Sequence, residues 1–234
     1  MRGGVRQLRN VSASVARLAS LAMAGFLFLG AAPAAAQFAH FGNETPGPDA
    51  LHVANWAVHS ADHKAMPFVI VDKRDSRVFV FDGQGRLLGA ANALIGMAQG
   101  DHTVPGIGTR KMSTIRPEER TTPAGRFAAS MERSLKGDEI LWVDYDSAVA
   151  LHRVIATVPK ERRLQRLASQ TPSDRRITYG CINVAVKFFE QVVIPAFKGR
   201  SGIVYVLPET SRPAEIFGSY DIDSNGAARP VPPR

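Results

Sequence analysis

The sequence predicts a mainly β domain carrying a few helices. Apolar runs with period-two alternation recur between residues 68 and 207, several of them bounded by turn-forming Gly, Asp, Asn and Ser. Only three stretches show helical spacing instead. No internal repeat is present, and the composition is ordinary for a globular protein.

Taken in chain order, residues 1–36 read as a secretory signal peptide. Arg2, Arg6, Arg9 and Arg17 form a basic start without an acidic residue, 18–29 is an apolar run, and Ala34, Ala35 and Ala36 supply small residues for cleavage. The alternative, an uncleaved anchor, is disfavoured: the run is shorter than the ~20 residues of a spanning helix, and no stop-transfer pattern follows. No Cys lies near the expected cut, so neither a lipid anchor nor a membrane anchor after cleavage is expected. The mature chain would begin at Gln37 and work in the periplasm or cell envelope. It would keep 25 basic and 21 acidic residues, a charge of +4 rather than the +8 of the whole chain. The basicity therefore reflects export in part and gives no ground for a nucleic-acid partner. The remaining 198 residues suffice for one domain with its own core.

Residues 37–47 read as a flexible lead-in, and 49–64 as a helix opened by Pro48 and Asp49, so that 37–66 forms an N-terminal approach to the domain. Strands are expected at 69–71 and 78–81, joined as a hairpin through 72–76, and at 87–95 after the turn 82–85. The Gly-, Pro- and Thr-rich stretch 96–125 reads as an extended loop. Strands resume at 126–131, 139–144 and 148–155. Helices are expected at 159–170 and, more clearly, at 184–197, with a closing strand at 203–207. From Pro208 the chain is polar and rich in breakers, which predicts a flexible tail over 208–234.

The only cysteine, Cys181, cannot form a disulfide within the monomer; in an exported protein it is a dimer bridge, a buried inert thiol or a reactive one. Its setting, Thr178-Tyr179-Gly180-Cys181-Ile182-Asn183, favours the reactive reading. With a helix expected from residue 184, Asn183 reads as its N-cap, and the positive helix end would favour a thiolate at Cys181. Gly180 permits close backbone approach, so that successive N–H groups face a developing oxyanion. Among six histidines, His152 ends an apolar run upstream of the Cys segment, a rigid placement that suits a general base.

Together these residues resemble the catalytic domain of L,D-transpeptidases, the peptidoglycan cysteine transpeptidases, whose pattern is a His followed by Ser/Thr-His-Gly-Cys-apolar-Asn/Arg. The 69–83 stretch resembles that family's opening hairpin, and Thr122-Pro123-Ala124-Gly125-Arg126-Phe127 its Thr-Pro-x-Gly-x-Phe segment. The resemblance covers residues 67–207. It implies a β-sandwich or barrel with a helix after the catalytic Cys, and acyl transfer on peptidoglycan stem peptides through a Cys thioester, with no cofactor or metal. Cys181 would be the nucleophile and His152 the base, oriented by the carbonyl of Arg153. Backbone N–H groups of Tyr179, Gly180 and Cys181 would hold the oxyanion, and Thr178, Asn183 and Arg176 are weaker candidates for substrate contact. Tyr179 stands where the family has His, and a basic insertion at 159–176 lengthens the gap between His152 and Cys181.

Blander readings stand beside these. The basic insertion steers acidic peptides or is a solvated face, and Tyr179 lines a cleft or packs in the core. Thr122-Pro123-Ala124-Gly125 reads as a structural turn more readily than a cleft wall. His59 and His63, at i and i+4, lack the acidic residue of a zinc signature, and no metal site is expected there. A peptidoglycan hydrolase on the same scaffold, an L,D-carboxypeptidase or amidase, and a non-catalytic wall-binding domain are the other functional classes. The sequence leaves the oligomeric state open.

Overall fold

The computed structural model describes residues 38–223 and 226–231; the expected signal peptide lies outside the described residues. Within them the protein is mainly β. Strands β1 (Phe68–Asp72) and β2 (Arg77–Phe81) form the expected antiparallel hairpin, with Val69 opposite Val80 and Val71 opposite Val78. Strand β3 (Leu87–Gly96) extends it. Strands β4 (Gly125–Arg133), β5 (Glu139–Asp144) and β6 (Val149–Arg153) form a meander. Two short strands follow, β7 (Arg176–Thr178) and β8 (Ile182–Val184), and β9 (Gly202–Val206) fits between β1 and β4.

The pairing closes on itself. β8 runs parallel to β6 and antiparallel to β3, and β3 also pairs with β2, so the order β2-β1-β9-β4-β5-β6-β8-β3 returns to β2 as a barrel-like sheet, with β7 added beside β3.

The strands around β1 are apolar at nearly every position because both faces are covered; Asp72 and Arg77 at the hairpin end are the exceptions. Val69, Val71, Val204 and Val206 face a core filled by Phe189, Val193 and Phe197 of a helical segment, 186–197. Phe68, Ile70, Phe79, Phe81 and Tyr205 face the other way, against Val53, Ala54 and Trp56 of helix α1 (Pro48–His59). Pro195 has no N–H to give, and the segment 186–197 opens into a π turn over Phe189–Val193.

Four expectations are corrected. Helix α1 stops at His59, since Ala61, Lys64 and Ala65 take left-handed backbone angles. The helix expected at 159–170 is a 3₁₀ turn, Pro159–Glu161, then α2 (Arg163–Ala168), broken by left-handed Arg162. The lead-in packs: Phe41 is buried edge-on to Phe79 and Phe81. So does the chain beyond Pro208, where a short helix, Pro213–Phe217, lays Phe217 on Trp56 and Tyr205. In both segments isolated aromatic residues find a partner surface that local composition does not reveal.

Candidate active site

The fifth correction concerns the nucleophile. Val184 belongs to β8, and the helical segment starts only at Val186. Asn183 is therefore a strand residue rather than an N-cap, and no helix terminus adjoins Cys181. β-pairing positions the site instead. β6 and β8 run parallel with His152 directly opposite Asn183. Registered residues on adjacent strands share a face, so Asn183 and His152 meet there, and Cys181 immediately precedes β8.

The turn before Cys181 is held by two threonines. The Thr178 hydroxyl donates to the Cys181 carbonyl at 2.7 Å and accepts the Gly180 N–H at 3.1 Å. The Thr122 hydroxyl donates to the Gly180 carbonyl at 2.8 Å and accepts the Gly96 N–H at 2.9 Å. Gly180 has φ +131°, and a Cβ there would stand 2.9 Å from the Thr121 carbonyl oxygen. Only glycine fits.

His152 Nδ1 lies 2.8 Å from the Arg153 carbonyl oxygen. A carbonyl only accepts, so Nδ1 carries the proton and the Nε2 of the neutral ring presents its lone pair. That lone pair receives a hydrogen bond from Asn183 Nδ2 at 3.0 Å, and Asn183 Oδ1 accepts from Arg163 Nη1 at 2.9 Å. Arg163 also pairs with Glu161. Arg153 is anchored by Glu139 and Glu190, with its guanidinium over the Phe189 ring.

Cys181 Sγ sits 3.7 Å from the Ala148 carbonyl oxygen. The residue is half-buried, and burial pushes the thiol above its usual range; the Ala150 backbone and the Arg163 charge act against this. His152 moves the other way: burial holds its imidazole below the ordinary value, the Arg163 charge adds to this, and the Arg153 carbonyl and Asp138 oppose it. The resting pair is thus a neutral thiol and a neutral imidazole. The helix end expected to favour a thiolate begins only at Val186 and does not adjoin Cys181.

The loop 97–124 borders the same site. Thr103 hydrogen-bonds Ser147, and Gly108 lies so close to the 146–148 backbone that a Cβ would stand 2.4 Å from the Asp146 carbonyl oxygen. Arg120 stacks on the Tyr179 ring at 3.9 Å, so the aromatic residue in the Cys segment faces this loop. The loop is tied down by a buried charge cluster. Lys73 donates to Gly100 O, Thr122 O and Asp101, and Asp101 also accepts from Glu209 N, Ser211 N and the Thr210 hydroxyl.

Of the residues singled out from sequence, His152, Arg153 and Asn183 form one bonded group, and Thr178, Gly180 and Cys181 form a second, which β8 joins to the first; Tyr179 lies in the same turn. Thr178 and Asn183 are buried and spend their hydrogen bonds inside the site. Arg176 lies apart, bonded to Glu209 and to the carbonyls of Ala98 and Lys73. Sequence reasoning missed Arg163 as an individual residue, and with it Arg120, Lys73 and Asp101. Arg163 carried one signal, membership of the basic insertion. His59 and His63 diverge: His59 bonds Tyr220, and His63 lies against the Ala57 carbonyl.

No protein-family model and no curated protein matches the chain. Solved L,D-transpeptidases resemble it. L,D-transpeptidase 1 of Mycobacterium tuberculosis is 17% identical, with 60% of this chain and 61% of that chain covered and a TM-score of 0.34. The catalytic domain of the E. faecium enzyme is 15% identical over 60% of this chain and 96% of that one, with a TM-score of 0.35. An L,D-transpeptidase from Mycobacterium smegmatis is also 15% identical, covering 60% and 58% with a TM-score of 0.35. The chain thus spans about three-fifths of the length of the mycobacterial structures.

Proposed function

We propose that the protein is an exported cysteine acyltransferase of the L,D-transpeptidase type, acting on peptidoglycan stem peptides in the cell envelope. The observation that carries the reading is the orientation of His152: its Nδ1–H is fixed on the Arg153 carbonyl, which leaves Nε2 as the basic nitrogen, on a strand paired with the one that Cys181 leads into.

Because thiol and imidazole are both neutral at rest, the proton moves as the bond forms. Cys181 Sγ attacks the donor carbonyl carbon while its proton passes to His152 Nε2, and Asn183 gives up its bond to that nitrogen. The carbonyl oxygen becomes an oxyanion held by backbone N–H groups of the Cys segment. Gly180 N–H is engaged by Thr178, so the donors assigned here are those of Tyr179 and Cys181. The C–N bond then breaks, the amine of the terminal D-amino acid takes the proton from Nε2, and a thioester remains. An acceptor amine gives a proton to Nε2 and attacks the thioester; the Cys181 thiolate leaves and recovers that proton. Water in place of the amine makes the reaction a hydrolysis.

Incubation with tetrapeptide-bearing muropeptides, followed by mass analysis, tests this. A cross-linked dimer accompanied by release of a D-amino acid supports transfer. Release without a dimer assigns the hydrolase reading, and unchanged muropeptides assign the non-catalytic one.

A further inference from the structure

Arg163 belongs to the insertion between His152 and Cys181, yet its guanidinium reaches the centre of the site. Its Nη1 donates to Asn183 Oδ1, which forces the amide to present its NH₂ to His152 Nε2. An imidazole protonated on Nε2 would set two donors against each other. Asn183 cannot relieve this by flipping its amide, because its oxygen would leave Arg163 and its NH₂ would then face a guanidinium that has only donors. Arg163 is mostly buried and has a second anchor in Glu161, and Asn183 is fully enclosed, so both partners are held in the resting site, where the bond to Nε2 gives way only as the thiol proton arrives.

We propose that Arg163 and Asn183 form a clamp that holds His152 in the neutral, Nδ1-protonated form and so keeps the base available as the surroundings become mildly acidic. Arg163 and Asn183 are positioning residues here. The inference rests on the reading of Cys181 and His152 as nucleophile and base. The charged groups facing the imidazole are Arg163 from α2, Asp138 from the turn between β4 and β5, and Arg153 beside it with its partners Glu139 and Glu190; Glu161 offsets Arg163.

The test follows the ¹⁵N resonances of His152, assigned by their loss in His152→Ala, through a pH titration of the protein without substrate. In the native protein the proton is expected on Nδ1, with a midpoint below that of an ordinary histidine. Arg163→Met is expected to raise the midpoint, and Arg163→Lys to restore part of the difference. In an Asn183→Ala background Arg163→Met is expected to have a smaller effect, since the amide that transmits it is gone. In turnover, the acidic limb of the kcat/KM profile should move to higher pH in Arg163→Met. An unchanged midpoint in folded Arg163→Met overturns the clamp, and equal shifts in the two backgrounds show that Arg163 does not act through Asn183. Because the titration needs no substrate, a shifted midpoint with no muropeptide turnover upholds the clamp while rejecting the enzymatic reading.

Discussion

Cys181 and His152 carry distinct consequences at the scale of single residues. Cys181→Ala should fold and lose turnover in the muropeptide assay. His152→Ala should lose about 10²–10⁴-fold in rate, the usual contribution of general acid–base catalysis. The raised thiol sets an expectation for chemical labelling: without substrate, iodoacetamide should modify Cys181 appreciably only above the ordinary thiol range. Rapid alkylation well below pH 8.5 would mean an ionised sulfur and contradict the neutral pair. Thr122 is a sharper test of the turn. Thr122→Val keeps the shape but leaves the Gly96 N–H and the Gly180 carbonyl without their partner, at a cost of about 1–3 kcal/mol in chemical denaturation and with slower turnover. Unchanged stability would remove the hydroxyl from the account.

The elements divide into those written in local pattern and those set by distant contacts. The longer strands of the barrel were legible because they carry apolar runs, as in 68–71 and 78–81. The first two residues of the helix expected at 184–197 were misassigned: Val184 is apolar and suits either state, and only its pairing with Ala93 and Arg153 decides for a strand. The site was legible where a motif sits on contiguous residues, 178–183, and opaque where it is assembled across the chain. Nothing near Arg163 announces that Asn183 lies under it, and nothing near Lys73 indicates Asp101 or Thr122. Removing Asp101 tests that long-range tie. Asp101→Ala leaves the enclosed Lys73 ammonium with only the more distant Glu209 carboxylate and two carbonyls, and releases the backbone at 209–211, so we expect a loss of up to about 3–5 kcal/mol in chemical denaturation. A near-neutral effect would show that the cluster does not hold the loop 97–124.

For the molecule as a whole, the same shifts fix how stability follows pH. His152 titrates lower in the folded protein than the ordinary 6.5, so the unfolded chain takes up its proton first. That contribution is complete above about pH 6.5 and declines as pH falls through this value. Asp101 is held well below the usual carboxylate range by its hydrogen bonds to 209–211 and Lys73, which outweigh its desolvation. Its contribution begins to be lost only further down, once pH falls below the ordinary 3.8, and goes as pH falls through the lower folded value. Denaturant unfolding across pH should therefore weaken in two stages, and His152→Gln should remove the first.

The account stands or falls on a covalent bond to one sulfur. Intact-protein mass spectrometry after mixing with a tetrapeptide donor, without an acceptor amine, reads that bond directly. The prediction is an adduct equal to the donor less its terminal D-amino acid, mapped to Cys181, slow to form in His152→Ala and absent from Cys181→Ala. Full turnover by Cys181→Ala, or product formed while Cys181 never carries the adduct, would contradict it.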